Sequence, residues 1–183
     1  MDIVKVTFND NTVHEYKKGT LFYDASKDFD MENIVGYKIN NEVFSLDNKI
    51  LEDVKVDFIN TNDLIGNRIY KAGLKFLFLV SLQEVFNDFD VVYEHSVPRG
   101  MLGVLKGPRV LSHEDISKIK ARMCKLISDN EIITKLNVSA KDAIKYFNDK
   151  KEYEKANNIQ NISDKVVNLS LIHISEPTRL ALI

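Results

Sequence analysis

The stretch TNDLIGNRIYKAGLKFLFLVSLQEVFNDFD, residues 61–90, constrains this chain most. Leu74, Leu77, Phe78, Leu82, Val85 and Phe86 recur in it three or four residues apart, the spacing of one helical face. Further apolar residues lie between them, so the pattern predicts one long helix buried on most sides. Such a helix needs other elements packed around it. The flanking sequence predicts both strands and helices, so the fold class is α+β.

The first sixty residues predict a self-contained unit. DIVKVTF alternates apolar and polar residues, NDNT is a turn cluster, and VHEYKKG completes a hairpin. Thr20 is placed to cap a helix whose face holds Leu21, Ala25 and Phe29. IVGYKINNEVFSL reads as two short strands joined at Asn40-Asn41, a pair that tolerates positive φ. A last strand follows around Val54, Val56 and Phe58. Strand, strand, helix, strand, strand, strand is the order of a β-grasp, a small mixed sheet wrapped over one helix. Charge also changes near residue 60. Residues 1–60 carry seven Lys/Arg against twelve Asp/Glu, and the rest carry eighteen against fifteen.

After the long helix, VVYEHSVPRGMLGVL predicts two strands around a Pro98-Arg99-Gly100 turn. SHEDISKIKARMCKLISDN predicts a helix with a capping-box variant at Ser112 and Asp115. Its expected buried stripe is Ile116, Ile119, Met123, Leu126 and Ile127, with Cys124 as a packing cysteine. SAKDAIKYFNDKKEYEKANNI predicts another helix capped by Ser139. The expected organisation is a β-grasp domain over 1–61, an α+β domain over 62–165, and a remainder over 166–183.

Several function classes lack their signatures. No phosphate-binding loop, dinucleotide fingerprint, Ser-His-Asp signature or zinc-type His-Glu-x-x-His occurs. None of His14, His95, His113 and His173 has a second His or Cys at ligand spacing, so no metal site is expected. One cysteine allows no internal disulfide, which fits a reducing compartment. No apolar run reaches the roughly 20 residues of a membrane span, and the first residues lack a secretory pattern. A cytoplasmic location without membrane partners is the expectation. No catalytic residue is assigned. The candidate binding residues are His95 and Arg99 at the strand-turn junction, with Arg99 as an anion contact, and Arg68 with Tyr70 facing a cleft. The competing reading for both sets is ordinary solvation, at a hairpin tip and at a helix start.

The whole arrangement resembles the N-terminal half of threonyl-tRNA synthetase, a TGS domain followed by the second additional, editing domain. GNRIYKAGLKFLFLVSLQEVF, YEHSVPRGMLGVL, LSHEDISKIKARMCKLI and VSAKDAIKYF carry the resemblance, which covers most of residues 1–165. The editing domain has a His-x-x-x-His pair on its long helix and a later Cys-x-x-x-His. Aligned through Val85-Phe86, the pair falls on Ala72 and Phe76, and no later Cys-x-x-x-His occurs. The resemblance therefore implies that editing chemistry is lost. The same segments, with SDKVVNLS, also resemble long bacterial uridine kinase-like nucleoside kinases. There, TGS and editing-like domains precede a P-loop kinase domain. That likeness implies an accessory half whose partner is a missing C-terminal kinase domain. ATP, Mg and the nucleoside would belong to that domain and no cofactor to this chain. RNA binding by the β-grasp unit is the remaining alternative. The acidic balance of residues 1–60 argues against phosphate contact as its main mode.

The closing LSLIHISEPTR, Leu169 to Arg179, is similar to a translated transposon adapter used in sequencing libraries. On that reading residues 169–183 have no selected structure. They are expected to be poorly ordered, or to rest on an exposed apolar groove; a final strand over residues 169–174 is the alternative, though nothing in the family pattern asks for it.

Overall fold

The computed structural model describes residues 2–29, 31–97, 100–131, 133–150, 152–161, 166–172 and 179–182. Helices and strands are both abundant, as an α+β fold requires. The chain divides into two compact units, residues 1–74 and 75–183.

The first unit begins with strands β1 (Ile3–Phe8) and β2 (Val13–Lys17), an antiparallel pair. The turn between them uses Asn11 at φ 63°, and Asp10 accepts hydrogen bonds from the Thr12 N–H and hydroxyl. A single helical turn, α1 (Phe22–Ala25), follows and tightens into a 3-10 turn over Ser26–Asp28. Then come β3 (Ile34–Ile39), β4 (Glu42–Phe44) and β5 (Val54–Asn60). The sheet order is β2-β1-β5-β3-β4, with β1 parallel to β5 and the other neighbours antiparallel. This is the β-grasp order expected. Asn40 and Asn41 have φ of 49° and 68°, as the two-residue β3–β4 turn demands.

Thr20 does not cap the helix. Its hydroxyl donates to the Lys17 carbonyl, and Leu21 occupies the cap position in extended conformation, bridged to Lys49. That bridge delays the helix by a residue, so Phe22, Ala25 and Ser26 turn inward and Leu21 does not. Val4, Val6, Phe8, Tyr37, Ile50 and Val56 complete the core around Phe22 and Ala25. The Phe22 and Tyr37 rings stack 3.9 Å apart.

Helix α2 (Leu64–Val85) has 22 residues and runs through the division between the units. In the second unit it is followed by hairpin strands β6 (Asp90–Val97) and β7 (Gly100–Lys106), and by α3 (His113–Ser128). Leu82, Phe89 and Ile119 are buried together, with Val91, Leu105 and Met123 against them. Phe76, Val80 and Leu126 form a neighbouring cluster. The capping box is present: Ser112 Oγ accepts from the Asp115 N–H, and the Asp115 carboxylate accepts from the Ser112 N–H.

The stripe expected on α3 is wider than the buried one. Ile119 and Leu126 are buried and Met123 is half-buried, but Ile116, Ile127 and Cys124 are exposed. Cys124 is therefore not a packing residue. At 100° per residue the arc of Ile119, Leu126 and Met123 is flanked on one side by Arg122, ion-paired to Glu84 of α2, while Ile116 and Ile127 fall beyond its other side.

The rest of the second unit has its own core. Strand β8 (Ile133–Ser139), helices α4 (Ala140–Asp149) and α5 (Tyr153–Gln160), and strand β9 (Val166–Ile172) enclose Ala143, Phe147, Ala156, Ile159, Val167 and Leu169. Ser139 caps α4 as expected, accepting from the Asp142 N–H. The single helix expected there is two, because α4 ends at Asp149 and the Glu152 N–H turns back to the Phe147 carbonyl. Leu169, expected to begin a segment without fixed structure, is a core residue. Strand β10 (Arg179–Leu182) pairs with Leu169–Ile172, and residues 173–178 and 183 lie outside the described residues.

One buried group in α2 lacks compensation. Ser81 is fully buried, and its hydroxyl has no hydrogen-bond partner among the described residues. Ser81→Ala removes that desolvated oxygen and leaves the backbone alone. The variant is expected to be as stable as the parent or more so, by up to ~1 kcal/mol. A thermal melt checks this, and a drop in midpoint counts against it.

Candidate functional site

The position that the resemblance singles out lies on α2. Ala72 is exposed and is followed one helical turn later by Phe76. Phe76 is 6% exposed and packs with Val80 and with Leu126 of α3. Beside Phe76 in the chain, the Lys75 carbonyl accepts a hydrogen bond from the Tyr93 hydroxyl of β6 at 3.2 Å. The Lys75 ammonium lies 5.2 Å from the Tyr93 ring centre, a cation–π contact. Burial pushes the Tyr93 phenol up to about 12, so it stays neutral at physiological pH. A phenol committed to a carbonyl and a phenyl ring in the core offer no group to accept a proton.

The candidate binding residues belong to different units. Arg68 and Tyr70 are exposed residues of α2 within the first unit. Two residues apart on a helix, they point in directions about 200° apart and cannot line one cleft side by side. His95 belongs to the second unit and is exposed on β6. Arg99 lies outside the described residues. A bulge between Tyr93 and His95 decides where His95 points. Tyr93 pairs with Gly103 and His95 with Leu102, so the extra residue, Glu94, sends the two rings to opposite faces of the hairpin. Strict alternation would have put them on the same face.

A polar cluster that sequence reasoning missed lies at the start of α3. The Arg109 guanidinium is 2.6 Å from the Asp115 carboxylate and sits over the Phe86 and Phe89 rings, 5.5 and 5.9 Å from their centres. Gly107 makes this possible, because a Cβ there would lie 2.3 Å from the Phe89 ring. The hydrogen bond from Arg109, aided by the Ser112 N–H and hydroxyl, holds the Asp115 carboxyl well below the usual carboxylate range. A carboxylate with a depressed folded-state pKa contributes stability above its unfolded pKa, about 4. That contribution is lost as pH falls below it. Asp115→Asn is expected to flatten the acid limb of the stability–pH curve between about pH 4 and 2, as read by urea unfolding at stepped pH. The only advance signal was the capping box, which marked Asp115 but not its arginine partner. This cluster braces the α3 start and holds no free acid or base.

Among the described residues no group of three or more His, Cys, Asp and Glu side chains could hold a metal ion. No helix among them is long and apolar enough to cross a membrane.

No protein-family model matches the chain. It is similar to curated threonine–tRNA ligases. That of Parabacteroides distasonis is 26% identical over 169 residues, covering 90% of this chain and 26% of the ligase. That of Caldanaerobacter subterraneus is 25% identical over 162 residues, covering 87% and 25%. That of Bacteroides fragilis is 24% identical over 166 residues, covering 88% and 26%. The chain thus spans about a quarter of the length of the curated relatives it matches.

Proposed function

We propose that this chain is a non-hydrolytic module related to threonine–tRNA ligases, one that docks tRNA without cleaving an aminoacyl ester. The burial of Phe76 carries the reading. Where the resemblance implies a histidine, the side chain is sealed against Val80 and Leu126. Ester hydrolysis needs a group that takes a proton from water within hydrogen-bond reach. Neither Ala72 nor Phe76 supplies one, and the neighbouring Tyr93 stays protonated. The relatives are ligases, so the nucleoside-kinase parent expected from the long-helix segment, the hairpin segment and SDKVVNLS gains no support from them. The TGS-like role of the β-grasp unit belongs to the same proposal. A tRNA surface fits the second unit better than the first, whose acidic residues repel phosphate.

Two assays test the two halves of the proposal. Incubated with Ser-tRNA(Thr), the chain is expected to release serine no faster than buffer does. Turnover above that rate overturns the non-hydrolytic reading. In filter binding with tRNA(Thr) at low and moderate salt, retention is expected at low salt and should fall as salt rises. No retention at low salt overturns the docking role.

A further inference from the structure

Strands that end a sheet usually carry protection against pairing with other chains. Among the described residues the other edge strands are β2, which carries exposed Glu15 and Lys17, β4, which has only three residues, β6, bent by its bulge at exposed Glu94, β8, with Lys135 in its sequence, and the four-residue β10, which starts at Arg179. Strand β7 is different. Its sequence GMLGVLK has no proline, no bulged residue of its own, and one charge, at its last position. Among the described residues it pairs only with β6, so one of its sides has no strand partner. On its outer face Leu102 and Val104 are 44% and 46% exposed, beside Val92 of β6 at 42%.

We infer that the free side of β7 pairs antiparallel with β7 of a second copy, about a two-fold axis at Gly103. The strand is self-complementary in that register. Gly103 lies opposite Gly103, Leu102 opposite Val104, Met101 opposite Leu105, and Gly100 opposite Lys106. Every central pair is apolar, and the lone charge of each strand meets a glycine, so no like charges face each other. The central glycines leave room for the backbones to approach, and each is already covered on its inner side by its own Tyr93 ring, 3.3 Å from where a Cβ would sit. A strand from an unrelated partner has no such built-in match. The assembly also closes. Pairing consumes both β7 edges and leaves the bulged, charged β6 edges at the ends of the joined sheet, so growth through this sheet stops at two copies.

The test measures the mass of the full chain by light scattering after size exclusion, over a dilution series. The expected mass is twice 21.0 kDa at the higher concentrations. Leu102→Lys with Val104→Lys sets like charges opposite each other across the axis and is expected to give monomer. Leu102→Lys with Val104→Glu sets opposite charges there and is expected to restore the dimer, which also shows that substitution at these exposed positions leaves the fold intact. A parent chain monomeric throughout overturns the inference. So does a dimer indifferent to the double-lysine variant, a charge-swap variant that stays monomeric, or open-ended assembly.

Discussion

Gly66→Ala is expected to destabilise the first unit by at least about 3 kcal/mol, beyond the usual cost of overpacking. A Cβ on Gly66 would sit 1.8 Å from the Asn60 carbonyl oxygen, 2.6 Å from its carbon and 3.1 Å from Ile59 Cγ2. The first two atoms are backbone, so no rotamer change relieves the contact. The corner cannot easily open either. The Asn60 N–H donates to the Asp63 carboxylate, the Asp63 N–H donates back to Asn60, and the Asn67 N–H donates to the Asp63 carbonyl. Moving α2 away from the end of β5 breaks that set and exposes Ile59, which is 1% exposed. Gly73, seven residues along the same helix, is the matched control, because a Cβ there meets nothing within 4 Å. Gly73→Ala is expected to stabilise by roughly 0.5–1 kcal/mol, the helix-propensity difference alone. Urea unfolding of both variants decides the point. Shifts of the same sign would show that the β5–α2 corner is not as close as described.

The parts of this fold that were legible in the sequence are those set by neighbouring residues. Asn40-Asn41 announces a turn because both residues accept positive φ. Ser112 and Asp115 announce a helix start because the reciprocal bonds are three residues apart. The β-grasp order followed from such signals in series. Features settled by packing at a distance were not legible. Thr20 looks like a cap until Lys49, far along the chain, holds Leu21 extended. Cys124 and Ile127 look apolar enough for the stripe, but which part of the arc faces inward is set by what packs against α3, and there the half-buried Arg122–Glu84 pair flanks it instead. Strand β8 alternates only over residues 136–139, too short a run to announce a strand, and its partner β9 lies some thirty positions away in the chain. The bulge at Glu94 matters most for the candidate site, because an extra residue in one strand has no local sequence mark yet reverses the side on which His95 lies.

Phe76→His puts back the side chain that the resemblance implies and is expected to cost about 3 kcal/mol or more, in the range of emptying a buried aromatic site. The imidazole is smaller than the phenyl ring and brings two nitrogens into a cluster made of Val80 and Leu126. The sign of the pH dependence separates burial from simple loss of volume. Burial disfavours the imidazolium, so the folded-state pKa falls below the unfolded value of about 6.5. The unfolded chain then binds more protons, and the variant loses stability as pH falls below about 6.5. Phe76→Leu, which changes volume without adding a titratable group, is expected to show no such slope between about pH 7 and 5. If the two variants have the same pH profile, residue 76 reaches solvent and the sealed-site reading fails. Adding Ala72→His to Phe76→His is not expected to create Ser-tRNA(Thr) hydrolysis. The Tyr93 hydroxyl is held by the Lys75 carbonyl, and the chain has no Cys-x-x-x-His to complete a site. The Phe76 ring is part of the core that packs α2 with Leu126 of α3, so a histidine at this position weakens the fold before it can offer a base.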